Sequence, residues 1–181
     1  MAPQTKQKRP RRVFPGFTLQ FPIRELRDWA AQYPPEDDPA FDAGKKIVAG
    51  KYSRANLDVI VNWKSHRRAE LIAKNTDTEI AEALRIAVSA EEPRTAFAVL
   101  MGLSGVAVPM ASAILTSLDQ KRYTIIDWRA LEALGVPDWD ITLNFYLEHY
   151  FPECRRLART AGVNLRTVDR ALWGWSSAQL R

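Results

Sequence analysis

Along the chain, apolar positions recur at helical spacing in one segment after another, and the two-residue alternation of a half-buried strand is nearly absent. "FPIRELRDWAAQY" (21–33) places Ile23, Leu26 and Ala30 on one helical face and stops at the acidic, proline-rich "PPEDDP", which reads as a loop. From Arg54 to Asn75 the positions Leu57, Ile60, Val61, Ala69 and Ile72 keep a 3.6-residue period, which predicts one helix ending at Asn75. "TDTEIAEALRIAVSA" opens with Thr76 and carries Glu79 three residues later, the spacing of a capping box. "PRTAFAVLMGL" has Pro93 where a first helical turn tolerates it. "IIDWRALEALG" predicts a short extended apolar run, then a helix capped by Asp127 and closed by Gly135. With "DWDITLNFYLEHYF" and "NLRTVDRALWGWSSAQ" the chain reads as all-α, about eight or nine helices with no solenoid-type repeat.

One stretch departs from this amphipathic pattern. Residues 95–118 carry no charge, a length that would suffice to cross a bilayer. Gly102, Ser104, Gly105 and Pro109 cluster at its centre, however, and no aromatic belt flanks it. The reading preferred over a membrane span is helix, tight turn, helix, with Ala96, Val99 and Leu100 before the turn and Ala111, Ile114, Leu115 and Leu118 after it.

Composition narrows the chemistry. In 181 residues there is one cysteine, Cys154, and two histidines, His66 and His149, so neither a disulfide framework nor the usual zinc and iron–sulfur ligand spacings can be assembled. A reduced, metal-free chain without cofactor is expected, and no secretory signal pattern opens it. The charge is unevenly placed. Lys6, Lys8, Arg9, Arg11 and Arg12 put five positive charges in residues 1–13, equal to the whole formal net charge of +5, and leave the remainder neutral overall. Such an arm reads as a disordered tail whose commonest partner is nucleic acid, or as a merely solubilising terminus. Residues 14–181 read as a single domain.

The uncharged stretch also carries a motif. Residues 103–111, "LSGVAVPMA", follow the hairpin pattern LPGVGxxxA, and "YTIIDWRALEALG" sets Asp127 after an extended run downstream. In both respects the chain resembles the helix-hairpin-helix DNA glycosylase superfamily, the group of endonuclease III and 8-oxoguanine DNA glycosylase, over residues 55–134 and more loosely over "VDRALWGWS". The resemblance implies a DNA-glycosylase-like all-α domain acting as a monomer on double-stranded DNA; with the cytoplasmic placement that the cysteine usage suggests, it would work on the nucleoid. It implies base excision by nucleotide flipping, with Asp127 as the catalytic carboxylate facing the sugar of the extruded nucleotide. The lysine used by members with lyase activity has its position taken by Pro109, so a monofunctional enzyme is implied.

Each candidate residue has a physical rationale beside a plainer one. A glycine-containing turn opening a helix aims backbone N–H groups and the helix dipole at one point, which makes Gly105, Val106, Ala107 and Met110 candidate phosphate ligands; an ordinary turn in an apolar core explains the same residues. Asp127 is equally an N-cap, and both roles can coexist. In "NWKSHRRAEL" the aromatic Trp63, the cations Lys64 and Arg67, and Ser65 suit a base pocket, with Trp63 and Arg67 expected on one helical face; a half-buried Trp beside a solvated basic face is the alternative. Trp128, next to Asp127, is a candidate lining residue. Two functions therefore remain: a DNA N-glycosylase, or a non-catalytic helix-hairpin-helix binding module. An open polar cleft beside Asp127 would favour the first.

Overall fold

In the computed structural model, which describes residues 13–34 and 38–179, regular structure is helical and no strand occurs among the described residues. After a 3-10 turn at Ile23–Glu25 come α1 (Leu26–Ala31), α2 (Asp38–Val48), α3 (Arg54–Ser65), a 3-10 turn at His66–Arg68, α4 (Ala69–Ile72) and α5 (Asp77–Ser89). There follow α6 (Pro93–Met101), α7 (Val108–Leu118), α8 (Trp128–Ala133), α9 (Leu143–Phe145), a π turn at Tyr146–Tyr150, α10 (Phe151–Ala161) and α11 (Leu165–Ala178). The cationic residues of the expected arm, Lys6, Lys8, Arg9, Arg11 and Arg12, lie outside the described residues.

The helix starts follow local chemistry. Ser53, Thr76, Asp127, Thr142 and Asn164 each accept a backbone N–H from the first turn they precede, and Thr76 with Glu79 forms the full capping box. Two expectations need correction, and one helix was not expected. The helix expected over 54–75 breaks at Ser65, whose φ of −169° and ψ of 91° leave the helical region, and resumes only as α4. The helix expected over 138–151 starts later, at Leu143, and runs through a π turn past Pro152 to Ala161, with proline placed directly after the wider π winding. The helix α2 went unrecognised behind the acidic loop, although Ala40, Ala43 and Ile47 form a buried face.

The uncharged stretch forms α6, a turn, and α7, as the clustered Gly and Pro imply, and no described helix is long and apolar enough to cross a membrane. α7 is the central helix, with every residue from Met110 to Ser117 buried. It contains three hydroxyls that would be costly there unpaired. Ser112, Thr116 and Ser117 donate instead to the carbonyls of Pro109, Ser112 and Ile114. On its flank Gly44 of α2 lies directly on the Ser117 backbone, where any side chain would overlap the carbonyl.

After α7 the chain runs extended and buried through Tyr123–Ile126 with no neighbouring strand to take its hydrogen bonds. Side chains supply them. The Ile126 N–H donates to Ser112 Oγ at 3.1 Å, and the Tyr146 hydroxyl both accepts from Thr124 N–H and donates to its carbonyl. The Tyr150 hydroxyl donates to the Ile125 carbonyl at 2.6 Å. The π turn, by its wider winding, brings Tyr146 and Tyr150 to this run with their rings 5.9 Å apart. Tyr150→Phe is expected to lower stability by about 1–3 kcal/mol in urea unfolding, because it strands a buried carbonyl without changing volume. No change would mean that another donor serves Ile125.

Candidate active-site cleft

The extended run ends at Asp127, whose own backbone is extended (φ −154°, ψ 179°) and whose Oδ1 caps α8 by accepting from Ala130 N–H at 3.0 Å. Its second oxygen takes a different partner. Lys64 Nζ, from the last turn of α3, donates to Asp127 Oδ2 at 2.6 Å, and the two side chains remain 16% and 18% exposed. Burial alone would raise the Asp127 carboxyl, but the Lys64 ammonium, by charge and by hydrogen bond, together with the Ala130 amide and Arg129, holds it below the ordinary carboxylate range. Asp127 is therefore ionised at neutral pH.

Both groups open into a cleft of about 610 Å³, a volume on the scale of a small-molecule site. Trp63, Lys64, Asp127 and Trp128 all line it, so four of the residues singled out from the sequence come together. Ser65 and Arg67 do not. With the helix interrupted at Ser65, Arg67 loses the one-turn relation to Trp63 that a continuous helix would give, and it is exposed elsewhere.

The far wall comes from α11 and was not anticipated. Arg166 and Asp169, one turn apart and both buried, form an ion pair. The Arg166 guanidinium also lies over the rings of Tyr33 (4.8 Å), Phe41 (5.1 Å) and Trp63 (5.8 Å), so aromatic faces help hold a charge that water cannot reach. Burial pushes the Asp169 carboxyl up, to about 6, against the pull of Arg166, Lys64 and the Ile125 amide. Two carboxylates thus flank Lys64 and their environments move them in opposite directions. The sequence signal was the i, i+3 spacing of Arg166 and Asp169 on a face otherwise apolar, which a surface ion pair mimics. Cys154 is buried with its thiol pushed above the ordinary value, so it offers no thiolate.

The hairpin turn is held from outside. Asn75 Oδ1 accepts from Ser104 N–H at 2.8 Å while its Nδ2 donates to the Ser104 carbonyl at 3.1 Å, a side-chain copy of a two-bond backbone pairing. Gly105 has φ of +85°, and a Cβ there would come within 2.8 Å of Leu71 Cβ, so both the turn and the close approach to α4 require glycine. Ala107 has φ of −101° and needs no such freedom, which is why alanine serves where the hairpin pattern has its second glycine. Among the candidate donors, Val106 spends its N–H on the Leu103 carbonyl, and the Val106 and Met110 side chains are buried. Ala107 is exposed at the start of α7 and supplies no side-chain cap. Neither the turn nor the cleft contains a group of three or more His, Cys, Asp or Glu side chains able to hold a metal ion, and none occurs elsewhere among the described residues.

No protein-family model matches the chain. Neither a curated protein nor a solved structure is significantly similar to it.

Proposed function

We propose that the protein is a monofunctional DNA N-glycosylase of the helix-hairpin-helix type, which extrudes a damaged or modified base from double-stranded DNA and hydrolyses its glycosidic bond. The observation that carries this reading is the ionised Asp127 opening into a base-sized cleft walled by Trp63, Trp128 and Trp173. A carboxylate held ionised next to stacking surfaces is what an oxocarbenium-like transition state and a flipped base require. In this reading Lys64 commits one of its three N–H groups to Asp127 and presents the others to the phosphate flanking the extruded nucleotide. The turn at 102–107 docks a second phosphate on the amides that open α7. The arm at residues 1–13 adds sequence-independent attraction, in keeping with a monomer that works on the nucleoid.

The alternative, a binding module without chemistry, draws on one specific feature. Lys64 and Ala130 already satisfy both oxygens of Asp127 inside the protein, as a purely structural carboxylate would be. Incubation of the protein with duplex oligonucleotides carrying a broad panel of damaged and modified bases separates the two. The enzyme reading expects one of the bases to be released, with the strand left intact until alkali is added, because Pro109 provides no amine for elimination. Binding to every duplex with release from none would leave the module reading.

A further inference from the structure

The rim of the cleft has an order that its separate contacts conceal. Trp128, on the first turn of α8, has the Arg129 guanidinium 4.5 Å from its ring, and the same guanidinium lies 5.3 Å from Trp173 of α11. Trp173 meets Tyr33 edge-on at 5.1 Å, and Tyr33 carries Arg166, which reaches on to Trp63. Rings and guanidinium groups thus follow one another along the cleft wall from Trp128 of α8 through Trp173 of α11 to Trp63 of α3. Such a ladder fixes each ring, because every member is held by at least one neighbour.

One end of the ladder is unfinished. Trp128 is 51% exposed, the most exposed aromatic side chain among the large hydrophobic residues that reach solvent, although it stands next to the ionised Asp127. The ring also lines the cleft, so its exposed part is available at the mouth. Its backing charge has no salt bridge: among the described residues, Lys64 and Arg166 pair with Asp127 and Asp169, whereas Arg129 acts on Asp127 only through space. The lining charges therefore leave one net positive charge at the exposed end. A flat ring backed by a cation matches a planar group on a polyanionic strand. In a uniform duplex every base face is covered by its neighbours. Only an unpaired base has a face to offer.

Resting on the nucleic-acid side of the proposed function, we infer that Trp128 is a stacking platform for an unpaired base at the cleft mouth, so the preferred ligand is a DNA strand with bases already out of their pairs. Arg129 is its positioning residue, with a guanidinium that reaches both the Trp128 and the Trp173 rings. Stacking of a base on an aromatic side chain is sequence-tolerant, so this platform selects for opened structure and leaves base identity to the cleft behind it.

The test is equilibrium binding by fluorescence anisotropy at one fixed salt concentration, using a fully paired duplex and the same duplex with a three-nucleotide bubble. The wild type should prefer the bubble by about tenfold or more, the scale of one stacked base. Trp128→Ala should weaken bubble binding by about fivefold or more beyond any loss on the duplex, and Trp128→Phe should retain the preference. A 2-aminopurine placed in the bubble should be quenched by the wild type and not by Trp128→Ala. Because the side chain is half in water, both variants should melt close to the wild type, which is checked in parallel. Equal wild-type affinity for duplex and bubble, or an equal loss on both from Trp128→Ala, would overturn the platform while leaving duplex binding and base release as separate findings. Failure to bind either DNA would overturn the platform and the nucleic-acid reading together.

Discussion

Replacing Asp127 by Asn is expected to slow base release by about two orders of magnitude or more while leaving DNA affinity unchanged or slightly raised, the scale of losing one preorganised electrostatic group. On the proposed reading the two effects separate because Asp127 has two tasks. As a cap it needs only an acceptor for the Ala130 N–H, and asparagine supplies one. As the partner of a developing oxocarbenium it must bring negative charge, which asparagine lacks. Removing that charge also frees the Lys64 ammonium from its pair, which makes the cleft more attractive to phosphate. Single-turnover base release and anisotropy on the same oligonucleotides read the two quantities independently. The pH dependence adds a second check. Asp127 is held below the ordinary carboxylate range, so a rate that depends on its charge should persist until the solution is more acidic than about pH 4. A rate that instead falls as pH drops through about 6 would assign the chemistry to Asp169. An Asn variant as fast as the wild type would end the catalytic assignment.

Ala107→Asp should act on stability and binding with opposite signs. Ala107 is the N-cap of α7, exposed, with cap-compatible backbone angles and no side-chain acceptor, and alanine is among the poorest residues there. An aspartate would accept a first-turn N–H and oppose the helix dipole, raising stability by about 1 kcal/mol and the melting temperature by about 2–4 °C. If those same amides hold a DNA phosphate, the new carboxylate occupies its place and repels it, and duplex affinity should fall by about tenfold or more. A higher melting temperature with undiminished affinity would show that the start of α7 does not touch the backbone of DNA. Gly105 is a worse place for this test, since its positive φ and its contact with Leu71 make any side chain there a folding defect first.

Local chemistry made much of the architecture legible. Thr76 with Glu79, Asn164 and Asp127 announce their helices because capping is a property of a few adjacent residues. The Gly and Pro cluster announces the α6 turn in the same way. The losses came where tertiary contacts overrule the local pattern. The periodicity of residues 54–75 continues straight through Ser65, yet the backbone leaves the helix there, and the expected pairing of Trp63 with Arg67 goes with it. Pro152 stands at the start of α10 after a π turn, a winding that no apolar period encodes. At the site, the half supplied by α3 and the start of α8 was visible: Trp63, Lys64, Asp127 and Trp128. The half from α11 was not, because Arg166 and Asp169 look like a surface i, i+3 pair until the fold turns them inward against Tyr33 and Trp63.

The tyrosine-held run before Asp127 sets the order in which the site can come into being. Thr124 is tied to a hydroxyl 22 residues downstream and Ile125 to one 25 residues downstream, and the Ile125 amide also meets Asp169 on α11. A chain emerging during synthesis therefore completes α7 and its hairpin well before it owns the groups that straighten residues 123–126. Before Tyr146 and Tyr150 are in place, only the Ser112 hydroxyl of α7 is at hand to hold the run that carries Asp127 to Lys64. On the proposed reading, partial products that end before Tyr146 would carry the residues of the turn and lack the hydroxyls that align Asp127, so they should bind DNA without releasing a base.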